Sequence, residues 1–187
     1  MIYIDDDINA LDMTAARAAV GLERWQYAMR YRQEQDRRLC LSAFMLLQRA
    51  LRLEFGIDDV PLFVYGPNGK PSLDGYPDIH FNLSHCRVAA ACVVSTSPVG
   101  IDVESIDRYD VELIPYTMND DEHRLIVNSV YPDIAFVRLW TMKESLLKCT
   151  GQGISDDIKS ILAATGGYRF HTTVHPRYVC TVCSLAE

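Results

Sequence analysis

The stretch that most constrains the fold is a long predicted helix that starts near Pro132 and contains residues 136–148. Placing residues about 100° apart on a helical wheel gathers four apolar side chains into a stripe that would face a core: Leu139, Met142, Leu146 and Cys149. The opposite side carries Trp140, Glu144 and Lys148. Because tryptophan is seldom left bare, this second face is predicted to be covered as well, by another part of the chain or by a ligand. The alternative is an exposed Glu144–Lys148 ion pair beside an isolated tryptophan.

Composition narrows the class of protein. With 187 residues, 49% of them hydrophobic, the chain can bury a core as one domain or as two small lobes. No apolar run approaches the ~18 residues of a membrane-spanning helix, and the first residues lack the basic start and long apolar stretch of a secretory signal. We therefore expect a cytoplasmic protein with no membrane partner, whose six cysteines are reduced and structural.

Charge is unevenly distributed along the chain. The net charge of −7 argues against nucleic acid as a partner, because a basic surface supplies most of that affinity. Five arginines nevertheless gather early in the sequence: Arg24, Arg30, Arg32, Arg37 and Arg38. This cluster predicts a phosphate-rich ligand or an acidic partner. A solvated helix face paired with Glu23, Glu34 and Asp36 is the alternative reading of the same residues.

The predicted elements follow one order twice, helices first and strands after. Before Pro98, helices are expected over 11–29 and 34–55 and strands over 1–4, 62–65, 79–84 and 88–95. After Pro98, a strand is expected over 99–104, helical material over 111–128, the helix from 132, and strands over 168–174 and 178–185. This order predicts an α+β fold of two similar α/β lobes, 1–97 and 98–187, each with helices packed on a small, mainly antiparallel sheet.

Three short segments carry further expectations. Residues 66–71 read as a turn-rich loop, and His85 and Cys86 are placed at the corner between two strands. The strand at 99–104 alternates, so Ile101 and Val103 would face inward and leave Asp102 and Glu104 together on the other face, their α carbons roughly 6.5 to 7 Å apart. Two carboxylates held so close repel each other unless a cation lies between them, and hard oxygen ligands suit Mg²⁺ or Mn²⁺. A solvated polar face is the alternative.

Four motifs, taken together and in this order, are similar to the signature of one enzyme family: Gly69-Lys70-Pro71, Phe81-Asn82-Leu83-Ser84-His85, Gly100-Ile101-Asp102-Val103-Glu104, and Trp140-Thr141-Met142-Lys143-Glu144-Ser145-Leu146-Leu147-Lys148. The chain resembles the 4'-phosphopantetheinyl transferase superfamily, in particular its surfactin-synthetase type, over roughly residues 31–153. The resemblance implies a pseudo-dimer of two lobes with coenzyme A between them. It also implies transfer of phosphopantetheine from coenzyme A to a serine of an apo acyl or peptidyl carrier protein, with release of adenosine 3',5'-bisphosphate and dependence on Mg²⁺, with Mn²⁺ as the alternative metal.

The resemblance also implies a role for each motif residue. Asp102, Glu104 and Glu144 would be metal ligands, with Glu144 as the first choice for the general base and Glu104 as the alternative. Phosphate and nucleotide contacts would come from Lys148, Lys70, Ser84, His85 and Arg38, with Ser84 and His85 near the 3'-phosphate of coenzyme A. The residues chosen as catalytic are therefore Glu144, Lys148 and Glu104.

Two departures from the family pattern bear on ligand and partner contacts. The positions of Gln26 and Ala28 are neutral where the family has basic residues, so the adenine-side contacts would fall to Arg24, Arg30 or Arg32. The chain is also short for the surfactin-synthetase type, which leaves the carrier-docking surface open. Two other readings are a catalytically silent module that binds coenzyme A or a carrier, and an unrelated Mg²⁺-dependent phosphohydrolase. A monomer is expected, because two fused lobes supply within one chain an interface that a smaller relative makes by oligomerising.

Overall fold

The computed structural model describes residues 1–66, 68–153 and 158–186. The helices are α1 Met13–Ala19, α2 Gly21–Ala28, α3 Glu34–Phe55, α4 Ile114–Thr117, α5 Asp120–Val127 and α6 Pro132–Thr150. The strands are β1 Ile2–Asp5, β2 Phe63–Tyr65, β3 Pro71–Leu73, β4 His80–Cys86, β5 Ala89–Ser95, β6 Val99–Ser105, β7 Tyr168–Val174 and β8 Tyr178–Leu185. Among these residues no helix combines the length and the apolar character needed to cross a bilayer.

Two three-stranded antiparallel sheets organise the α+β fold. The first has the strand order β1-β5-β4 and the second the order β6-β8-β7, while β2 and β3 form a separate hairpin. Helix α3 packs on the first sheet and α6 on the second. The prediction of small antiparallel sheets covered by helices is therefore confirmed, whereas the similarity of the two halves as a pseudo-dimer stays a prediction.

Strand β5 shows why two layers form on the first sheet. Its side chains alternate, so Ala90, Cys92 and Val94 join a core with α3, whereas Ala89, Ala91 and Val93 face the second sheet. Across that second interface lie Val99, Ile101 and Val103 of β6. The two sheets therefore share one apolar layer. The division into lobes 1–97 and 98–187 stays a prediction.

Helix α6 lies unusually close to β6. A Cβ on Gly100 would overlap the carbonyl oxygen of Ser145 and the backbone nitrogen of Cys149, so only glycine permits this approach. The predicted core stripe is accordingly wrong in part. Thr141 and Ser145 are fully buried beneath the helix, while Leu139 and Met142 are only partly buried. The close approach leaves room for small side chains and turns the larger ones aside.

Several predicted boundaries are confirmed and others are wrong. The helix at 34–55 and the strands at 168–174 and 178–185 lie where the pattern placed them. The segment predicted as one helix over 11–29 forms two helices, α1 and α2. The helix is interrupted at Gly21, whose φ of 75° lies in the left-handed region. His85 and Cys86 are part of β4 rather than a corner, since both pair with β5. In the 66–71 loop, Pro67 lies outside the described residues.

The helical material predicted over 111–128 is divided into three pieces. A 3-10 turn at Val111–Leu113 leads into α4, and α5 begins only after Asn119. Asn119 and Glu122 form a capping box, in which each side chain accepts a hydrogen bond from the other residue's backbone N–H. This cap starts a new helix and so separates α5 from α4.

All six cysteines are buried and have free thiols. Cys180 belongs to the core between the two sheets, while Cys183 packs with Leu146 and Cys149 under α6. Cys180 and Cys183, which are three residues apart, thus lie on opposite faces of β8, as the alternation of a strand requires.

Candidate active site

The polar face of β6 carries the predicted carboxylates. Ile101 and Val103 are fully buried toward the first sheet, and Asp102 and Glu104 point to the α6 side, as the alternation predicted. Asp102 is only 3% exposed. A carboxylate buried to this degree requires hydrogen bonds or a positive charge to compensate for lost hydration.

Lys148 supplies that positive charge from α6. Its Nζ donates to Oδ1 of Asp102 at 2.5 Å and to Oγ of Ser84 at 3.0 Å, and Ser84 Oγ itself donates to the same Oδ1 at 2.9 Å. The other oxygen of Asp102, Oδ2, is buried and has no hydrogen-bond partner among the described residues. Half of the carboxylate is therefore satisfied, and the other half is an acceptor without a donor. The alternative of an exposed Glu144–Lys148 pair is wrong, since the ammonium group bonds Asp102.

Strand β4 holds β6 in place through side chains rather than through a backbone ladder. The Oδ1 of Asn82 accepts a hydrogen bond from the N–H of Ile101 at 2.9 Å, and Ser84 Oγ accepts one from the N–H of Val103 at 3.2 Å. These two bonds fix the backbone on both sides of Asp102. Sequence reasoning missed this role of Asn82, although polar residues that alternate along a buried strand were a usable signal.

Glu104 and Glu144 face the same region from β6 and α6. Burial, together with the negative charges of Asp102 and Glu144, raises the pKa of Glu104 to about 7, although Arg108 and Lys148 oppose the change. Burial and the charge of Asp102 also raise the pKa of Glu144. Three carboxylates thus lie within electrostatic range of one another, and one lysine offsets part of their repulsion.

His85 is on β4 beside this group, where part of its side chain is exposed and part of its imidazole ring is removed from water. Loss of hydration lowers the pKa of its imidazole, and the positive charges of Lys148 and Arg24 lower it further, against the opposite effect of Asp36 and Asp102. The structure therefore brings His85 within electrostatic range of Asp102 and Lys148, and its contact with the 3'-phosphate of coenzyme A stays a prediction.

Lys70 approaches α6 from the β2–β3 hairpin. Its Nζ donates to the carbonyl oxygen of Cys149 at 2.9 Å, and burial lowers the pKa of the ammonium group. A cavity of about 240 Å³ beside it is lined by Lys70, Asn82, Glu144 and Lys148, among others. Lys70 and the catalytic candidates of α6 therefore share one cavity, which a phosphate-bearing ligand could enter.

The first lysine of the α6 motif has a different function from the second. Lys143 is fully buried, and its Nζ forms an ion pair with Oε2 of Glu122 at 2.8 Å and donates to the carbonyl oxygens of Ile158 at 2.8 Å and Lys159 at 3.2 Å. This lysine ties α5 and residues 158–159 to the helix that carries Glu144. Sequence reasoning missed this role of Lys143, because a helical wheel gives no information about a buried acid on another helix.

Trp140 is covered by other residues of the chain. It packs against the apolar cluster that includes Ile114, Met118 and Phe136. The prediction that its face of the helix is covered is confirmed, but Trp140 is shielded by protein and does not share the polar surroundings of Lys148.

Arg24 and Arg38, two of the five early arginines, form hydrogen bonds with other segments of the chain. The guanidinium of Arg38 donates to the carbonyl oxygens of Asn9 and Leu11 and pairs with Glu34, so it ties α3 to the segment before α1. Its role as a nucleotide contact stays a prediction. Arg24 donates to the carbonyl of Cys40, and its Nε is buried without a partner among the described residues.

The carboxylates fit a divalent cation by chemistry, although the described residues are not arranged around one. No group of three His, Cys, Asp or Glu side chains in 1–66, 68–153 and 158–186 is set up to hold a metal ion. The unpartnered Oδ2 of Asp102 and the raised pKa values of Glu104 and Glu144 are nevertheless what three hard oxygen donors show when no cation divides them. Lys148 lies where part of the compensating charge is needed.

The comparisons with known proteins all point to one protein family. The family model described as the 4'-phosphopantetheinyl transferase superfamily matches residues 98–183. A 4'-phosphopantetheinyl transferase of Bacillus subtilis is 30% identical over 158 residues, which cover 82% of this chain and 70% of that protein. The 4'-phosphopantetheinyl transferase psf-1 of Bacillus pumilus is 31% identical, with 84% and 70% covered, and gsp of Aneurinibacillus migulanus is 32% identical, with 85% and 68% covered.

Proposed function

Because the chain belongs to the 4'-phosphopantetheinyl transferase superfamily, we propose that it transfers the 4'-phosphopantetheine group of coenzyme A to a serine of an apo acyl or peptidyl carrier protein. The products are the holo carrier and adenosine 3',5'-bisphosphate. The observation that carries this proposal is the polar cluster at the β6–α6 interface, where Asp102, Ser84 and Lys148 are bonded to one another and Glu104 and Glu144 lie in range.

Glu144 is the proposed general base. In the reaction the serine oxygen of the carrier forms a bond to the β-phosphorus, the bond from that phosphorus to the bridging oxygen breaks, and the adenosine bisphosphate leaves. The serine proton must pass to a base, and a base is most effective when its pKa approaches the working pH. Burial and Asp102 raise the pKa of Glu144 in that direction. Glu104, with a pKa of about 7, is the alternative base.

Lys148 is proposed to contact the phosphates. Its side chain is 29% exposed, so the ammonium group is reachable from the cavity that Lys70 and Glu144 also line. A positive charge placed there stabilises the negative charge that develops on the leaving group. If Mg²⁺ or Mn²⁺ is held by Asp102, Glu104 and Glu144, the chemistry it supplies is neutralisation of the pyrophosphate.

The remaining phosphate contacts are proposed for Lys70 and His85, which lie on either side of this region. Arg38 is retained as a nucleotide contact on the strength of its motif position alone. For Ser84 the contacts support a positioning role: its hydroxyl is buried and already bonds Asp102, Lys148 and the backbone of Val103. Ser84 would then act on the 3'-phosphate region only through those neighbours.

A catalytically silent module that binds coenzyme A or a carrier is the second candidate. It is favoured only by the absence of a preformed metal cage among the described residues. A binding module has no need for three mutually repelling carboxylates, since their burial costs stability and brings no affinity for an anionic ligand.

Mass spectrometry of carrier proteins separates these candidates. The protein is incubated with an apo carrier, coenzyme A and Mg²⁺, and the carrier serine is examined for a phosphopantetheine adduct, with a reaction lacking coenzyme A as the control. We expect the adduct on at least one acyl or peptidyl carrier. If coenzyme A binds, as measured by calorimetry, and no carrier of either class is modified, the transferase proposal is wrong and the silent module replaces it.

A further inference from the structure

Lys148 places a positive charge on one oxygen of the Asp102 carboxylate and leaves the other oxygen open. Its Nζ is 2.5 Å from Oδ1, and the serine hydroxyl of Ser84 supports the same contact from β4. The carboxylate is buried, while the lysine side chain stays 29% exposed, so the lysine can leave toward solvent and the aspartate cannot. In addition, the unpartnered Oδ2 of Asp102 shows that the ammonium group satisfies only one side of the carboxylate.

An ammonium group and a divalent cation on the same carboxylate of Asp102 oppose each other. Each must lie within about 3 Å of one of its two oxygens, and two positive charges that close in a poorly hydrated site repel strongly. The four-carbon stem of lysine is flexible, so its charge can move several ångströms without movement of the helix. Departure of Lys148 would leave Asp102, Glu104 and Glu144 as a group of carboxylates with no lysine against them, which is the environment a divalent cation prefers.

We propose, building on the proposed function, that Lys148 acts as a resident cation on Asp102 in the ligand-free enzyme and exchanges places with the divalent metal when the phosphates of coenzyme A draw it away. Coenzyme A and metal then bind in a coupled manner, because the positive charge of one side chain disfavours metal on Asp102 until the phosphates engage that side chain. By reciprocity, metal on Asp102 strengthens the interaction of Lys148 with the phosphates. Ser84 is the positioning residue that holds the ammonium group in its resting place.

Metal binding to the enzyme without coenzyme A tests the exchange directly. Mn²⁺ is titrated into the wild type and into Lys148→Met, with free Mn²⁺ measured by electron paramagnetic resonance. Removal of the resident cation is expected to tighten Mn²⁺ binding by about 10-fold, within the ~5–150-fold range usual for coupled sites. Lys70→Met is the matched control, because it removes a nearby positive charge that bonds the carbonyl of Cys149 and not Asp102. We expect that control to change the affinity by less than about 2-fold. Equal or weaker binding in Lys148→Met than in the wild type would overturn the proposal.

A second substitution locates the metal. Adding Asp102→Asn to Lys148→Met is expected to abolish the gain in affinity, and a gain that persists would show that Mn²⁺ binds elsewhere and that the exchange is wrong.

Thermal unfolding establishes whether the variants fold. If Lys148→Met does not fold, the wild type is labelled with ¹⁵N lysine, and Lys148→Arg identifies the Lys148 signal. That ammonium signal should be protected from solvent exchange in the free enzyme and should move when coenzyme A and Mg²⁺ are added together. A signal that stays unchanged contradicts the exchange.

The Mn²⁺ measurements and the carrier assay test the two proposals separately, so either proposal can be contradicted without the other. A phosphopantetheine adduct together with unchanged Mn²⁺ affinity in Lys148→Met would leave the transferase intact and remove the exchange. Tighter Mn²⁺ binding in that variant, with no adduct on any carrier, would retain the exchange and remove the transferase.

Discussion

The two sheets are each covered by one long helix, yet the two sheet–helix interfaces differ in kind. Between β5 and α3 the strand contributes Ala90, Cys92 and Val94, and the helix contributes Leu39, Ala43, Leu46, Leu47 and Ala50. Between β6 and α6 the strand contributes Gly100, Asp102 and Glu104, and the helix brings Ser145, Glu144 and Lys148. The same sheet–helix arrangement thus contains an apolar interface between β5 and α3 and a charged interface between β6 and α6.

The difference shows how the charged layer is sustained. Apolar burial at the first interface stabilises the chain, at about 25 cal/mol for each Å² removed from water. The second interface includes an unpartnered carboxylate oxygen and two acids with raised pKa values, each of which costs stability. Loss of a charged group at the second interface should therefore lower activity without lowering stability, whereas a steric or packing change at either interface should lower stability.

The largest expected effect is on transfer by Glu144→Gln. The variant keeps the size of the side chain and removes the proposed base, so the rate of carrier modification should fall by about 100-fold or more. Its thermal stability should equal or exceed that of the wild type, because the removed charge is one that burial disfavours. Initial rates by mass spectrometry and a melting curve measure the two quantities.

Glu54→Gln provides the matched control for this substitution. Glu54 is on α3, where it pairs with the N-terminal ammonium group, and its loss should leave the transfer rate unchanged. A near-normal rate for Glu144→Gln would remove Glu144 from the mechanism and pass the role of base to Glu104.

The next effect is the loss of stability in Gly100→Ala. One methyl group at this position collides with backbone atoms of Ser145 and Cys149, which cannot rotate away, so α6 must shift from β6. We expect a loss of about 3 kcal/mol in the free energy of unfolding, measured by urea titration. Gly167→Ala is the control, because a Cβ there meets nothing within 4 Å and the position has no positive φ. Equal stabilities for the two variants would mean that the close approach of α6 does not depend on glycine.

The sequence predicted the parts of this site that depend on local periodicity. Alternation in β6 was enough to place Asp102 and Glu104 on one face, and helical periodicity placed Glu144 and Lys148 together on α6. What it could not supply were the partners contributed by distant strands and helices. The bond from Asn82 to Ile101, the burial of Lys143 against Glu122 and the contact beneath Gly100 each join residues far apart in the chain. No pattern within a single element encodes them.

A smaller effect is expected in the pH dependence of stability. In the folded, metal-free protein Glu104 has a pKa of about 7, against an ordinary value of 4.5. Between these values the folded state retains a proton that the unfolded state has released, so the free energy of unfolding falls as the pH rises through this window. The loss reaches at most about 3 kcal/mol above pH 7.

Comparison with Glu104→Gln isolates this contribution from that of other titrating groups, including His85. Urea unfolding in the presence of a chelator is measured at several pH values between 4.5 and 8. The stability of Glu104→Gln relative to the wild type should increase steadily across the window. Parallel curves for the two proteins would show that Glu104 titrates normally, and that the acids at the second interface are better hydrated than their burial indicates.

The smallest expected effect concerns the support that β4 gives to β6. Asn82→Ala removes the acceptor of the Ile101 N–H and leaves that donor buried, which costs about 1–2 kcal/mol in the free energy of unfolding. Asn82→Leu keeps a branched side chain without the acceptor oxygen, so it separates loss of the hydrogen bond from loss of side-chain volume and adds no charge beside Asp102. If the bond also positions Asp102, Asn82→Ala should lower the rate of transfer per folded molecule, whereas a purely structural bond would lower stability alone. The first outcome would show that the charged interface depends for its activity on the first sheet, because the residue that orients its carboxylate belongs to a strand of that sheet.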